Sequence, residues 1–586
     1  MQTLDSAQTT QDQTTAPLEV SDILVASMVA NGVDTLFFSS GTDLIPYQEA
    51  ISKARATGRE APRVITMLHE IVNLNTAIGY TMTSGKPAVT GVHVDAGTLN
   101  CGAGYHTVMR GNYPVVVTAG SAPTTLPGTM RGARDGYYFW YQELPDQAGI
   151  VRQFAKWDRK LELQDSPGFI MSRALQVAQT PPQGLSYLSL PREVLMAPAR
   201  TADFPTVQEL GIPRPIGLAA AQAREIADLL IRAEKPLVIL GRSGRSPKTF
   251  RAMVELAELL ALPVKNGEGP DAANFPSDHP LMATGPAIRD ADVVLVIESG
   301  FPWVQGAAGP HRDATVITIG EEPIQDRIVT YEYPASQRYQ ADAYAAIRGL
   351  REAAEGRVTA ADRARFAERL AACEAKKADQ RRRLEENAQK VSSSSPISPV
   401  WLSYQLGKLA NESSILVNDA CTNAGHASSY FPIRQPGSYF RSGGSAGGWG
   451  LGASLGAKLG APDREVILTV GEGYYLFGVS NVTFWAAARY KAPFLAVMYQ
   501  NDSYSTGTSS IGRLYPDGYA ISQCEFEGGM LHPAIDYVKE AEAAGAAAER
   551  VTDPAQVGPA LQRGLDAVRS GTPALVAVQL PRLMCD

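Results

Sequence analysis

The stretch VILTVGEGYYLFGVSNVTFWAAARYKAPFLAVMYQNDS, residues 466–503, contains two buried-type strands joined by a helical segment. The first strand, Val466–Val470, leads into the turn Gly471–Gly473 (GEG), and the second, FLAVMY, leads into Gln500 and Asn501. Strand–helix–strand connections are typical of parallel sheets, which place ligands at the carboxyl ends of their strands. The stretch therefore predicts a sheet edge that carries an acid in a tight turn and two amide side chains.

Oxygen ligands come together at this predicted edge. Glu472 offers a carboxylate, Asn501 an amide oxygen and Ser503 a backbone carbonyl. These are the hard ligands that Mg²⁺ or Ca²⁺ prefers, with phosphate oxygens and water completing the shell. The glycines of the GEG turn permit a tight bend and the close approach of a phosphate. The sequence thus predicts a metal-diphosphate site.

The composition favours a globular protein without a nucleic-acid or membrane partner. The 586 residues are 45% hydrophobic, include 53 glycines and carry a net charge of −7. No apolar run reaches the ~18 residues that a membrane span needs. The five cysteines show no CxxC pair and no metal-ligand spacing, which favours reduced, inert thiols. We therefore expect a cytoplasmic protein.

Short apolar runs alternate with helical stretches from about Pro17, which predicts an α/β fold with three doubly wound parallel-sheet domains. The predicted strands are 35–39, 63–68, 88–94, 115–119 and 184–190, then 236–240, 293–297 and 315–319, then 414–418, 466–470, 494–499 and 574–579. The predicted organisation is a disordered tail at 1–16, an N-terminal domain at 17–195, a linker at 196–215, a central domain at 216–350, a charged connecting helix with a Ser/Pro linker at 351–397, and a C-terminal domain at 398–586.

The motif GRSGRS at 241–246 raises a minor alternative for the central domain. It follows a predicted strand, as a dinucleotide-binding loop does. It lacks the full GxGxxG spacing, and no acid ends a clear second strand. A nicotinamide oxidoreductase is therefore disfavoured.

The turn and the amides resemble the signature of thiamine diphosphate-dependent enzymes, a GDG turn followed at a set distance by two asparagines. Residues 474–499 separate the turn from Gln500, which fits that spacing. Glu472 stands where the family has Asp, Gln500 stands where it has the first Asn, and Asn501 retains the metal-binding Asn. The resemblance implies a diphosphate and metal site formed by Gly471, Glu472, Gly473, Tyr474, Asn501 and Ser503, in which Glu472, Asn501 and Ser503 bind Mg²⁺ or the roomier Ca²⁺.

A second match lies in the N-terminal domain. VITMLHEIVNLNTAIGYTMTSGKPAVTGVHVDAGTLN, residues 64–100, resembles the family's strand, HE, helix and GYAxxTGKP pattern. It places Glu70 where the family's glutamate hydrogen-bonds the aminopyrimidine ring, so that the cofactor removes its own proton. The alternative role for Glu70 is an acid stabilised by a helix dipole. The resemblance implies that Glu70 is catalytic and binds the cofactor.

Shorter matches extend the resemblance over nearly the whole chain from residue 17. FFSSGTD (37–43) and DAGTLN (95–100) match two loops on the pyrimidine side, FWYQELPDQ (139–147) matches a segment with an active-site glutamine, and NDACTNAGH (418–426) matches a loop that touches the diphosphate. The residues that these matches nominate are Gly41, Asn100, Gln142, Thr422 and Asn423.

One position departs from the family. GGWGLGASLGA (447–457) aligns with a segment in which relatives carry a bulky Leu, Ile or Met that props the cofactor into its bent shape. Gly447 occupies that position here. Either another side chain supplies the prop or the alignment is off by one residue. Trp449 is the nearest large candidate, although a core position is the expectation for it.

The resemblance is closest to acetolactate synthase-like and bacterial 2-hydroxyacyl-CoA lyase-like sequences. It implies a thiamine diphosphate-dependent carbon–carbon lyase or carboligating transferase that acts on 2-keto or 2-hydroxyacyl substrates, CoA esters among them. None of the seven histidines adjoins another, which disfavours simple pyruvate-type decarboxylases. A 2-keto acid decarboxylase and a catalytically degenerate binding protein of the same fold are the alternatives.

The segment SYSTGTSSIGRLYP, residues 503–516, contains no carboxylate where lyases of this group hold an acid. Tyr504 or a water is then the candidate proton donor, and a flexible hydroxyl-rich loop is the alternative. Arg131 and Arg134 are candidates for binding a substrate anion, or else surface residues.

The family's pyrimidine and diphosphate domains do not face each other within one chain. The resemblance therefore implies a cofactor bound between two subunits, with a homodimer as the minimum and a homotetramer built as a dimer of dimers. Relatives hold FAD or the ADP moiety of CoA in the central domain, or nothing, and the sequence leaves these three possibilities open.

Overall fold

The structure is a computed structural model that describes residues 18–283, 288–306 and 309–582. Its strands form three sheets in which the strands pair in parallel. The chain divides into two compact units: one contains the residues up to Asn73, Lys86–Tyr105 and Tyr113–Ile212, and the other contains Leu74–Gly85, His106–Asn112 and the residues from Pro213 onward. The predicted three-sheet α/β fold is confirmed. The predicted domain boundaries stay a prediction, and the predicted tail at 1–16 lies outside the described residues.

The first sheet has the strand order β2-β1-β3-β4-β6-β5. Its strands are β1 (Thr35–Phe38), β2 (Arg63–Thr66), β3 (Ala88–Val92), β4 (Val115–Ser121), β5 (Ala155–Lys160) and β6 (Leu185–Pro191). They alternate with the helices α1 (Val20–Ala30), α2 (Ile45–Ala56), α3 (Glu70–Ser84), α4 (Val94–Asn100), α5 (Gly102–Gly111), α6 (Tyr138–Tyr141), α7 (Pro167–Gln179), α8 (Arg192–Leu195) and α9 (Val207–Leu210). The central strands β3, β4 and β6 are buried throughout, as expected for a sheet covered on both faces.

The second sheet has the order β11-β10-β9-β7-β8. Its strands are β7 (Pro236–Leu240), β8 (Val264–Asn266), β9 (Val293–Ile297), β10 (Thr315–Gly320) and β11 (Gln337–Gln340), and its helices are α10 (Ala220–Arg232), α11 (Pro247–Leu260), α12 (Ala343–Glu355) and α13 (Ala360–Lys390). The predicted connecting helix is therefore two helices. Asp342 caps the first, and Thr359 caps the second through a capping box.

The third sheet has the order β13-β12-β14-β15-β17-β16, which repeats the topology of the first. Its strands are β12 (Ile415–Asp419), β13 (Tyr439–Phe440), β14 (Val466–Gly471), β15 (Leu495–Gln500), β16 (Ala547–Val551) and β17 (Ala574–Gln579). Its helices are α14 (Pro399–Leu409), α15 (Ala424–Tyr430), α16 (Trp449–Gly460), α17 (Glu472–Phe477), α18 (Ser480–Arg489), α19 (Ser505–Leu514), α20 (Tyr519–Gln523), α21 (Tyr537–Ala543) and α22 (Val557–Arg569).

Three local predictions are corrected. DAGTLN forms most of helix α4 and not a loop, and the segment after Asn501 forms helix α19 and not a flexible loop. Cys101, Cys373 and Cys421 are free thiols as predicted, whereas Cys524 is disulfide-bonded. None of the helices within the described ranges is long and apolar enough to cross a membrane.

Candidate active site

The acid of the GEG turn lies at the carboxyl end of β14, where the next strand of the sheet also ends. Glu472 begins α17 and is 2% exposed, and β15 pairs with β14 so that Asn501 follows on the same edge. The Glu472 Oε1 atom accepts hydrogen bonds from the backbone N–H of Ser503 at 3.0 Å and of Asn501 at 3.3 Å. The structure therefore brings together the three residues predicted to bind a metal.

Two serines donate hydrogen bonds to the side-chain amide oxygen of Asn501. Its Oδ1 accepts hydrogen bonds from the backbone N–H of Ser503 at 3.2 Å, from the Ser503 hydroxyl at 2.9 Å and from the Ser505 hydroxyl at 2.9 Å. All three residues are buried. Ser505 was not predicted to be a site residue. The signal that could have identified it is its position two residues after Ser503, a predicted metal ligand.

The electrostatics of Glu472 fit a bound cation. Burial raises the pKa of Glu472 to about 7, the charge of Asp502 adds to this effect, and the hydrogen bonds from Ser503 and Asn501 oppose it. A divalent ion would hold the carboxylate ionised. The described residues contain no cluster of three His, Cys, Asp or Glu side chains suited to a metal. One carboxylate with neutral oxygens instead suits Mg²⁺ or Ca²⁺ that shares its shell with phosphate.

The glutamine that replaces the family's first asparagine has a structural partner. The Gln500 amide nitrogen donates to Asp502 Oδ1 at 2.9 Å, and Gln579 donates to the other oxygen of Asp502 at 3.3 Å. Asp502 has a φ of 53°, a left-handed conformation that an aspartate adopts at some cost. Gln500 therefore stabilises the turn that presents Asn501 and Ser503.

The ring of Tyr474 accounts for the glycine at position 447. A Cβ added at Gly447 would lie 2.1 Å from the Cε1 atom of Tyr474, so no side chain fits there. Trp449 is 1% exposed and belongs to the interior, as expected. The predicted Gly447 and Tyr474 thus lie against each other, beside the acid turn.

The predicted diphosphate loop follows β12 and contacts the start of α19. The hydroxyls of Thr422 and Thr506 are 2.9 Å apart, and the Cys421 thiol lies 3.0 Å from the Thr506 hydroxyl. Thr422 is exposed and Asn423 is buried. Thr422 is therefore the better placed of the two for an outside ligand.

Tyr504, the predicted proton donor, precedes α19 and is 39% exposed. Its ring covers Gly473, where a Cβ would lie 2.6 Å from the Tyr504 Cε1 atom. The second glycine of the GEG turn is thus required by this ring. Tyr504 remains a candidate because the structure places it beside the turn.

In the first unit, Glu70 begins α3 after β2 and is half-buried. The Asn100 amide donates to Glu70 Oε2 at 3.0 Å. A Cβ added at Gly97 would lie 3.0 Å from Glu70 Oε1, so the glycine leaves room for that oxygen. The two residues predicted for the pyrimidine side are therefore in contact.

A histidine that the sequence did not single out lies within electrostatic range of Glu70. His93 follows β3, and its Nδ1 contacts the carboxylate of Asp43, whose side chain is 0% exposed. This hydrogen bond is the largest cause of the raised pKa of His93, burial opposes it, and the charges of Asp43, Glu70 and Asp95 add to it. The structure therefore holds a positioned imidazole in the predicted pyrimidine-side group.

Two glycines make space for the contact between His93 and Asp43. A Cβ at Gly41 would lie 2.2 Å from His93 Nδ1, and a Cβ at Gly120 would lie 1.5 Å from Asp43 Oδ2. The predicted Gly41 is thus needed for the histidine–aspartate contact.

Gln142 completes the group on the other side of the imidazole. Its Nε2 lies 3.0 Å from His93 Nε2, and its Oε1 is buried without a hydrogen-bond partner in the described part of the chain. A buried amide oxygen without a partner is costly in a folded protein, so it marks a place for an outside donor.

The two arginines of the loop at 131–134 have partners in the first unit. Arg134 is 5% exposed, donates to the Pro123 carbonyl at 2.6 Å and pairs with Glu143 at 2.6 Å. Arg131 is exposed and pairs with Glu19. Arg134 therefore has a structural role, and Arg131 is a surface residue.

The strand ends of the central sheet carry both acidic and basic side chains. Glu298 follows β9 with a φ of 50°, and its Oε1 accepts the backbone N–H of Glu321, which follows β10, at 2.9 Å. Burial raises the pKa of Glu298 to about 7 and the charge of Glu321 adds to the rise. The arginine of GRSGRS at 245 forms an ion pair with Asp271. The charge of Arg242 opposes this rise in the Glu298 pKa, so an arginine lies among the acids at this edge and the edge does not by itself exclude a phosphate.

Two family models and several known proteins match the chain. The N-terminal TPP binding domain of thiamine pyrophosphate enzymes matches residues 18–149, and their C-terminal TPP binding domain matches residues 419–578. The chain is 26% identical over 579 residues to the acetolactate synthase large subunit IlvG of Mycobacterium tuberculosis, with 96% of each chain covered. It is 25% identical over 489 residues to the benzoylformate decarboxylase of Pseudomonas aeruginosa, with 81% of this chain and 84% of that protein covered.

Among solved structures, the thiamine diphosphate-dependent 4-hydroxybenzoylformate decarboxylase of Rhodococcus jostii RHA1 is similar with a TM-score of 0.76. The two chains are 22% identical, and the match covers 96% of this chain and 99% of that one. This likeness shows a shared fold.

Proposed function

The chain belongs to the thiamine pyrophosphate enzyme family, and we propose that it is a thiamine diphosphate- and Mg²⁺-dependent enzyme that breaks or forms carbon–carbon bonds of 2-keto or 2-hydroxyacyl substrates. The observation that carries the proposal is the contact of Glu70 with Asn100 at the start of α3. The relatives named acetolactate synthase and benzoylformate decarboxylase support a 2-keto acid as the substrate.

Glu472, Asn501 and the Ser503 carbonyl would hold the metal, and Thr422 and Tyr474 would border the diphosphate. When bound, thiamine diphosphate supplies a carbon nucleophile for the substrate carbonyl and an electron sink for the bond that breaks. The GEG turn has no room for a larger residue at its second glycine because Tyr504 covers it.

Glu70 would face the aminopyrimidine side of the cofactor. The hydrogen bond from Asn100 fixes Glu70 Oε2, so that Oε1 is the oxygen left to face a partner. A carboxyl group in this position exchanges a proton with a ring nitrogen within hydrogen-bond reach.

His93 would deliver or remove the substrate proton. Asp43 holds its Nδ1, which leaves Nε2 as the atom that titrates toward the site. The Gln142 amide lies against Nε2 and can serve both states of the ring: its NH₂ donates to the neutral imidazole, and its Oε1 accepts from the protonated one after a flip.

The pair of His93 and Gln142 also favours a second candidate function, that of a 2-keto acid decarboxylase. Decarboxylation ends with a proton on the acyl carbon, whereas carboligation ends with a second carbonyl carbon there. A positioned imidazole supplies that proton without the adjacent histidines of pyruvate-type decarboxylases.

A substrate screen tests the proposal. The protein with thiamine diphosphate and Mg²⁺ would be incubated with aliphatic and aromatic 2-keto acids and with 2-hydroxyacyl-CoA esters, each with and without an acceptor aldehyde, and products would be identified by mass. We expect aldehydes or acyloins. No product from any substrate, with the cofactor shown to be bound, would support the degenerate binding protein.

The Glu70→Ala variant tests the catalytic assignment. It removes the carboxyl group while the metal cluster stays intact, so we expect measurable cofactor binding and loss of turnover. Glu60→Ala, an exposed acid of the same unit, is the control and should behave as the wild type. Unchanged turnover in Glu70→Ala would refute the role of Glu70.

We also propose a homodimer that shares the cofactor between subunits, or a homotetramer built from two dimers. The family resemblance supports this assembly, and light scattering of the purified protein measures it. The proposal leaves open whether the central domain binds FAD, the ADP moiety of CoA or neither, because Glu298, Glu321 and Arg242 share the strand ends of that sheet.

A further inference from the structure

The glycine at position 447 is required by a side chain and not by its backbone. Its φ lies outside the left-handed region that favours glycine. A Cβ there would lie 2.1, 2.4 and 2.4 Å from three atoms of the Tyr474 ring, distances that real Cβ atoms essentially never show. The Tyr474 ring therefore occupies the space that a side chain at 447 would fill.

Tyr474 is well placed to support a ligand at the acid turn. It lies two residues after Glu472 in α17 and is half-buried. Its hydroxyl accepts a hydrogen bond from the Cys421 thiol at 3.4 Å, and burial is the largest cause of its raised pKa. The ring thus reaches from the Gly447 segment to the loop after β12, and both segments border the turn that carries Glu472.

We propose that Tyr474 is the cofactor-positioning residue of this chain and that the bulky side chain has moved from position 447 to position 474, a move that we call the exchange. The bulk that relatives carry at 447 is supplied by the ring of the residue at 474. This inference rests on the proposed function, because it assigns the ring to the thiamine diphosphate site. It explains both the glycine at 447 and the aromatic residue after the GEG turn.

A double-mutant cycle tests the exchange. The four proteins are the wild type, Tyr474→Ala, Gly447→Leu and the variant with both substitutions, and the readout is thiamine diphosphate affinity in Mg²⁺ by titration calorimetry, with turnover measured beside it. We expect each single variant to bind the cofactor about 10-fold or more weaker. The double variant should regain about 10-fold over the weaker single variant, because the leucine then fills the space that the ring leaves.

Two controls separate the ring from other effects. Tyr474→Phe keeps the ring and loses the hydroxyl, so it should bind within about 2-fold of the wild type. Phe477→Ala removes a 54% exposed ring of the same helix, which lies 6.3 Å from the Tyr474 ring, and should also have little effect.

The outcomes are distinct. A wild type that does not bind thiamine diphosphate refutes the proposed function. A wild type that binds while Tyr474→Ala binds equally well refutes only the positioning role of Tyr474. A double variant that binds thiamine diphosphate no more tightly than the weaker-binding single variant refutes the exchange. If Gly447→Leu does not fold, the comparison of Tyr474→Ala with Tyr474→Phe still decides, because equal losses in both would assign the effect to the hydroxyl and overturn the inference.

Discussion

Asp419, at the end of β12, should make the stability of the protein fall as pH rises. The residue is 6% exposed, and its Oδ2 accepts the backbone N–H of Gly450 at 3.0 Å and of Gly448 at 3.1 Å. Burial raises the pKa of Asp419 from 3.8 to about 7, which these hydrogen bonds and the charge of Arg441 only partly oppose. The folded state therefore binds a proton that the unfolded state has lost between these two values.

The size of this loss of folding stability follows from the pKa values of Asp419 in the unfolded and folded states. The charged carboxylate is stabilised in the unfolded chain relative to the folded one, so the folded protein loses stability as pH rises from about 4 to 7 and regains none above 7. The rise of the Asp419 pKa from 3.8 to about 7 corresponds to roughly 4 kcal/mol at pH 8, of which more than half is lost between pH 5 and pH 8. Asp419→Asn has no such titration, and its amide oxygen still accepts both backbone bonds.

Urea unfolding at pH 5, 6.5 and 8 tests this expectation. Because a chain with several domains does not unfold in one step, pulse-labelling hydrogen exchange of peptides from β12 and α16 would report the unit that contains Asp419. We expect the free energy of unfolding of Asp419→Asn, relative to the wild type, to rise by about 2 to 3 kcal/mol from pH 5 to pH 8. The exposed Asp463→Asn is the control and should show no such change. Parallel pH profiles of Asp419→Asn and the wild type would refute the reasoning.

Three further predictions concern the two groups of site residues. His93→Gln should lower turnover about 100-fold or more in steady-state kinetics, because it removes a positioned acid–base group, while cofactor affinity by calorimetry should stay within about 3-fold. Equal losses of turnover and of cofactor affinity would contradict this role. Gly41→Ala should lower turnover because its Cβ would lie 2.2 Å from His93 Nδ1, whereas Gly102→Ala, with no atom within 4 Å of its Cβ, should match the wild type in the same assay. Gln500→Asn should weaken Mg²⁺ binding about 3- to 10-fold, because the shorter amide loses its bond to Asp502, and an unchanged Mg²⁺ titration would show that this bond is not needed.

The sequence predicted the interior strands of each sheet and the edge strand β2, and it missed the other edge strands. The five strands that were not predicted, β5, β8, β11, β13 and β16, each lie at a sheet edge. Edge strands such as AKWDRK in β5 are only partly buried, so they lack the continuous apolar run that reveals a strand covered on both faces. The local pattern therefore could not show them.

The site residues likewise fall into a group that the sequence could predict and a group that it could not. Glu472 and Asn501 directly follow β14 and β15, and Glu70 comes four residues after the end of β2, so their positions could be predicted from strand ends and spacing. The contact of His93 with Asp43 joins segments that follow two different strands, so it depends on the pairing of β1 with β3. His93 and Asp43 are 50 residues apart in the sequence and become neighbours only in the folded sheet, so no local motif reveals the pair.

The departures from the family pattern argue against a protein that kept the fold and lost catalysis. A degenerate site would leave each replaced residue without a matching change nearby. Here Gln500 contacts Asp502, and the Tyr474 ring fills the space beside Gly447. Glu472 accepts the backbone N–H groups of the two residues that would share its metal. Each replacement is thus matched by a local contact that preserves the turn and the oxygen cluster, which is the arrangement that a working metal-diphosphate site requires.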